Sequence, residues 1–83
     1  MKFLGIDHPA IAAEDVEKLA DWYCDVIGYE KWVCTDRPVW MLKAPDGTYL
    51  EIIPKDDTAR PGRTIWTPGY SHLALRVDNL DQA

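Results

Sequence analysis

The pattern Gly5-x-x-His8-x-Ala10 recurs as Gly69-x-x-His72-x-Ala74, with each residue of the first copy matched at one constant offset. In each copy a few extended residues follow, then an acidic helix start and an aliphatic residue. These are Glu14-Asp15-Val16 in the first copy and Asp78-Asn79-Leu80 in the second. The same transition, strand into capped helix, is therefore written twice. A repeat of this kind constrains the fold more than any lone motif, because each copy must open an equivalent structural unit. The chain is expected to hold one complete unit and the opening of a second.

The elements of the first unit follow from local chemistry. Residues 2–13 read as an extended segment, although Pro9 suits an edge or a bulge better than a central strand. Asp15 is a candidate N-cap and Gly28 a candidate C-terminal stop. Between them Val16, Leu19, Tyr23, Val26 and Ile27 recur at helical spacing, with Glu17, Lys18, Asp21 and Asp25 on the other face. Residues 29–35 and 39–44 are strand candidates separated by Asp36-Arg37-Pro38. Pro45-Asp46-Gly47-Thr48 is a turn, since Pro presets φ and Gly supplies a positive φ. Residues 49–53 are the next strand, which makes a hairpin across Asp46-Gly47.

The second unit opens after a stretch rich in Pro and Gly. Residues 70–77 alternate, with Leu73, Leu75 and Val77 on one side and His72, Ala74 and Arg76 on the other. Asp78-Asn79 starts a helix. The expected organisation is a first module over residues 1–56, a linker over 57–69 and an incomplete second module over 70–83. A single β-α-β-β-β unit leaves sheet edges and one sheet face unpaired, so a homodimer is expected.

Composition narrows the function classes. Of the residues, 47% are apolar and 28% charged. These are ordinary globular values. A net charge of −5 disfavours binding to nucleic acid or to an anionic membrane through a basic field. There is no apolar run long enough to span a bilayer, and the N-terminus lacks a signal-peptide pattern. A cytoplasmic location follows as an expectation. Cys24 and Cys34 do not make a disulfide framework and read as reduced structural thiols.

The order β-α-β-β-β, with a histidine on the first strand and an acid in Leu50-Glu51-Ile52, resembles the vicinal oxygen chelate superfamily. This group includes glyoxalase I, extradiol dioxygenases and bleomycin resistance proteins. Asp15, Trp22, Tyr23, Asp25, Ile27, Gly28 and Tyr29 fit its helix signature, and the resemblance spans essentially the whole chain. It implies an α+β fold, in which βαβββ modules pair into an open, cup-shaped barrel. It also implies a divalent metal (Zn, Ni, Fe or Mn) held by strand residues. Carried over, the ligands are His8, Glu51 and His72. The family's fourth ligand, a Glu on the last strand of a second module, has no counterpart within these residues.

The residues themselves support part of this. Two imidazoles and one carboxylate on separate strands suit such metals, with positions left for water or substrate. Glu51 shares its strand face with Tyr49 and Ile53, away from Leu50 and Ile52. Taken singly, each histidine reads as a residue satisfied by its surroundings and Glu51 as a solvated strand acid. It is the joint pattern that points to a site. Trp32 and Trp40, on adjacent strands, are candidate walls for a small-molecule substrate. Arg37 is a candidate partner for an anionic group, as are Arg60 and Arg63.

Three function classes fit these residues. The first is a glyoxalase-like metal-dependent lyase or isomerase acting on vicinal oxygens, with Glu51 as the catalytic carboxylate. The second is an extradiol-type dioxygenase. The third is a non-enzymatic drug-binding protein of the bleomycin resistance type, in which the tryptophans would be the working surface.

Overall fold

A computed structural model describes all residues except Asp36, Arg37 and Ala83, and Gln82 by its backbone alone. The elements run β1 (Ala10–Ala13), α1 (Val16–Trp22) continued by a π-helical turn (Tyr23–Ile27), β2 (Glu30–Cys34), β3 (Trp40–Lys43) and β4 (Tyr49–Pro54), with a 3-10 turn at Leu80–Gln82. The four strands form one mixed sheet in the order β1-β4-β3-β2. β1 runs parallel to β4, and the other two pairings are antiparallel. This is the βαβββ module expected from the sequence.

Local chemistry sets the element ends. The Asp15 carboxylate accepts a hydrogen bond from the Lys18 amide at 3.0 Å. This satisfies one of the open N–H groups of the first turn. Gly28 closes the helix at φ 102°. That is a left-handed conformation which side-chain-bearing residues rarely adopt. The hairpin between β3 and β4 turns through Gly47 at φ 89°, with the Ala44 amide donating to Thr48 at 2.9 Å. A positive φ at this place is what the turn requires of its glycine.

Helix α1 lies on one face of the sheet and buries Val16 and Ala20 against Leu42, Leu50 and Ile52. Each of these three strand side chains contributes roughly 1.5–3 kcal/mol by leaving water. Ile11, Ala13, Leu19, Tyr23, Cys24, Tyr29 and Trp40 extend the same cluster. The sheet therefore has a helix-covered face and an opposite face, and strand parity decides which residues occupy each.

Three expectations need adjustment. The first strand is shorter than residues 2–13. The Tyr49 and Glu51 amides still donate to the Asp7 and Pro9 carbonyls at 3.1 and 3.0 Å. In a parallel ladder the next bond would run from the amide of residue 9, and proline has no N–H to give. The last turn of the helix widens into π geometry, which leaves Val26 and Ile27 exposed rather than on the packed stripe. Residues 70–77 form no strand, although a second-module strand is expected there from the sequence. Alternation alone does not make a strand without a ladder partner. These residues pair with neither edge of the sheet, and Leu73, Leu75 and Val77 stay exposed. The helix start at Asp78-Asn79 does form, with Asn79 Oδ1 accepting from the Asp81 amide at 3.1 Å. Arg37, the candidate anion partner, lies outside the described residues.

The radius of gyration is 14.4 Å. A compact chain of this length would have about 12 Å. The excess follows from the distribution of burial. The core rests on α1 and the sheet, while Phe3, Leu4, Ile6, Trp66, Tyr70 and Leu80 stay largely exposed.

Candidate functional site on the open face of the sheet

Register places the candidate ligands. Ala10 pairs with Glu51 across the parallel ladder, and Met41 pairs with Glu51 across the antiparallel one. Paired residues point to the same side, and side chains alternate along each strand. Glu51, Tyr49, Met41, Lys43 and Ala10 therefore occupy the face opposite the helix. His8, two residues before Ala10 and still within the hydrogen-bonded run, belongs to that face as well. This agrees with the parity read from the sequence for Glu51 and its neighbours.

His8 is oriented by the residue before it. Its Nδ1 lies 2.7 Å from Asp7 Oδ2. A carboxylate only accepts, so Nδ1 carries the hydrogen. Among the described residues Nε2 then has no protein partner, which is the arrangement a ligating or substrate-contacting imidazole needs. The sequence reading does not single out Asp7, although its position next to a candidate histidine is the available signal.

The other candidates are placed less uniformly. Trp32 stacks on Tyr49 of the same open face, with ring centroids 4.8 Å apart and planes tilted by 31°. Trp40 pairs with Ile52 and so lies on the helix face. Its Nε1 donates to Glu17 Oε2 at 2.5 Å, and Lys31 Nζ sits 4.7 Å from the centre of its ring. The second contact is a cation–π interaction. Trp40 and Glu51 are thus on opposite sides of the sheet. Lys31 also bonds Glu17 at 2.6 Å and Asp21 at 2.5 Å. These partners raise the Lys31 pKa, chiefly through Asp21, while Lys31 and then Trp40 lower that of Glu17. The network ties the helix to the sheet edge.

His72 is not brought to His8 and Glu51. Its Nδ1 lies 3.1 Å from Ser71 Oγ on an exposed stretch. Among the described residues no three His, Cys, Asp or Glu side chains gather in an arrangement that could hold a metal ion. Two of the three donors share a face, and the full set does not come together within the described chain. Arg60 is engaged elsewhere, in a forked pair with Asp56 at 2.9 and 2.8 Å. Arg63 donates to the Tyr70 and Thr67 carbonyls at 2.7 and 3.3 Å and shapes its own loop.

A βαβββ module with this register meets a direct comparison. A family model described as the Glyoxalase/Bleomycin resistance protein/Dioxygenase superfamily matches residues 7–83. The chain belongs to this superfamily. No curated protein and no solved structure gives a significant match. The superfamily match begins at Asp7, beside His8, and runs through β1, the helix and the hairpin that carries Glu51. It continues through residues 70–77 and the helix start at Asn79. Among the described residues of this superfamily member, no helix is long and apolar enough to cross a membrane.

Proposed function

We propose that the open face of the sheet is the substrate face of a glyoxalase-like lyase or isomerase, with Glu51 as its proton-transferring carboxylate. The observation that supports this reading is the shared register of His8 and Glu51 on the face opposite the helix. A small molecule with oxygens on adjacent carbons would lie across these strands. The Glu51 carboxylate would take a proton from the carbon next to a carbonyl and return it to the neighbouring carbon. One C–H bond breaks and one forms, the hydroxyl proton passes to the former carbonyl oxygen, and an enediol stands between the two. His8 Nε2 would accept a hydrogen bond from a substrate hydroxyl, with Asp7 holding the ring. No step is drawn through a metal, because His72 is not gathered with the other two donors.

A second copy of the chain is the proposed partner. Exposed Phe3, Leu4 and Ile6 before the sheet and Leu73, Leu75 and Val77 after it support this, since they leave apolar surface outside the core. Light scattering at micromolar concentration is expected to report a dimer.

The test of the activity is isomerisation of a hemithioacetal by the purified protein, with oxygen consumption on a catechol as the contrasting assay. Isomerisation that falls roughly 100-fold or more in Glu51→Gln is the expected outcome, matching the usual contribution of a general base. An unchanged rate in that variant, or oxygen uptake in place of isomerisation, would overturn the reading.

A further inference from the structure

We infer that Trp32, Tyr49 and Lys43 form a subsite for a planar, anionic group of the substrate. This rests on the open face being the substrate face. Strand β2 carries a register shift between Lys31 and Val33: Lys31 pairs with Leu42, whereas Val33 pairs with Met41. Trp32 is the extra residue of this bulge. Lys31 is held on the helix side by Glu17 and Asp21. Trp32 and Val33 then fall consecutively on the open side, where strict alternation would have supplied only one of them. Trp32 reaches across β3 to stack on Tyr49, yet it stays 57% exposed. The stack is therefore braced on one side and available on the other. A flat π-system is the shape that such a surface recognises best.

The charge beside it selects among flat molecules. Lys43 pairs in register with Tyr49, so it occupies the same row of the open face. Among the described residues Lys43 makes no ion pair, while Lys31 is saturated by two carboxylates and Arg60 by Asp56. Lys43 and its other cross-strand neighbour, Glu30, line a hollow of about 280 Å³ together with Gly28, Ala44 and Pro45. An exposed cation with no carboxylate on it, next to an aromatic surface and an adjoining hollow, suits a planar carboxylate. Its ring would lie on Trp32 and its anionic group would reach Lys43.

The test uses 2-naphthoate as probe, with 2-naphthylmethanol and cyclohexanecarboxylate as controls, by calorimetric titration of the purified protein. Naphthoate is expected to bind more tightly than either control. Trp32→Ala should weaken it about tenfold, the upper end of what one aromatic stack contributes. Trp32→Phe should recover most of that loss. Lys43→Met should make naphthoate and naphthylmethanol bind alike. Circular dichroism identifies any variant that fails to fold, and Trp32→Leu, which also lacks the ring, then stands in for Trp32→Ala, with saturation-transfer NMR of the unaltered protein reporting which probe protons lie on the indole. Equal binding of naphthoate and cyclohexanecarboxylate, or full affinity in Trp32→Ala, would overturn the subsite. Naphthoate binding is expected to survive Glu51→Gln. Loss of isomerisation with binding intact would therefore count against the proposed reaction alone.

Discussion

Trp40 Nε1 donates to Glu17 Oε2 at 2.5 Å, a bond from the helix-side face of the sheet to the helix itself. The same carboxylate accepts from Lys31 through its other oxygen. Glu17 thus joins the helix, β2 and β3. Groups that share one acceptor do not act independently. Glu17→Gln and Trp40→Phe are each expected to lower the thermal midpoint, and the double variant should lose less than the two single losses together. A double-mutant cycle followed by thermal unfolding checks this, and strict additivity would contradict the shared role.

Leu50 and Glu51 are neighbours in sequence and lie on opposite faces of β4. Leu50 is fully buried. Leu50→Ala should therefore cost about 2–5 kcal/mol. Glu51→Ala should change stability by much less, since its face carries no helix. Urea unfolding of both variants tests the register directly. A larger loss in Glu51→Ala than in Leu50→Ala would mean that the strand is turned the other way.

Gly28 ends the helix at φ 102°, and a Cβ built there meets nothing within 4 Å. The cost of Gly28→Ala is then purely conformational, about 1–2 kcal/mol. Denaturant melts should show this destabilisation together with an unchanged m-value. A neutral outcome would show that the chain leaves the helix by another route.

Asp56 is held by the Arg60 guanidinium, and its carboxyl is lowered to about 2 from an ordinary 3.8. A depressed folded-state pKa means that this contribution to stability is present above pH 3.8. It fades as pH falls from there to about 2. NMR titration of the Asp56 carboxyl should give a midpoint near the lower value, and Arg60→Met should return it toward the upper one. Both groups are exposed, so salt should weaken the effect.

Some of this structure was legible in the sequence because its cause is local. The Asp15 cap, the Gly28 stop and the Gly47 turn each depend on a few adjacent residues, and all three form. The side taken by Glu51 was legible too, because it follows from two-residue alternation. Trp40 was not, because its side depends on pairing with Ile52, and parity within its own strand does not name the buried face. The bulge at Trp32 was invisible for a related reason: an extra residue exists only relative to a partner strand. Residues 70–77 show the converse. Their alternation is easy to read, yet a strand also needs a neighbour, which the described sheet does not supply. His72 enters the expected site through the repeat and the resemblance, and its separation from His8 and Glu51 follows from that missing ladder.

The bulge in β2 also bears on how such a protein can diversify. Beyond Trp32 the assignment of residues to faces is inverted, so Val33 looks outward and Cys34 looks toward the helix. Losing that single codon would take Trp32 out of the open face while Val33 kept Met41 and Cys34 kept Trp40 as partners, and β1, β3 and β4 kept their places. An edge strand that tolerates one extra residue lets a lineage rewrite one wall of the open face and leave the core alone.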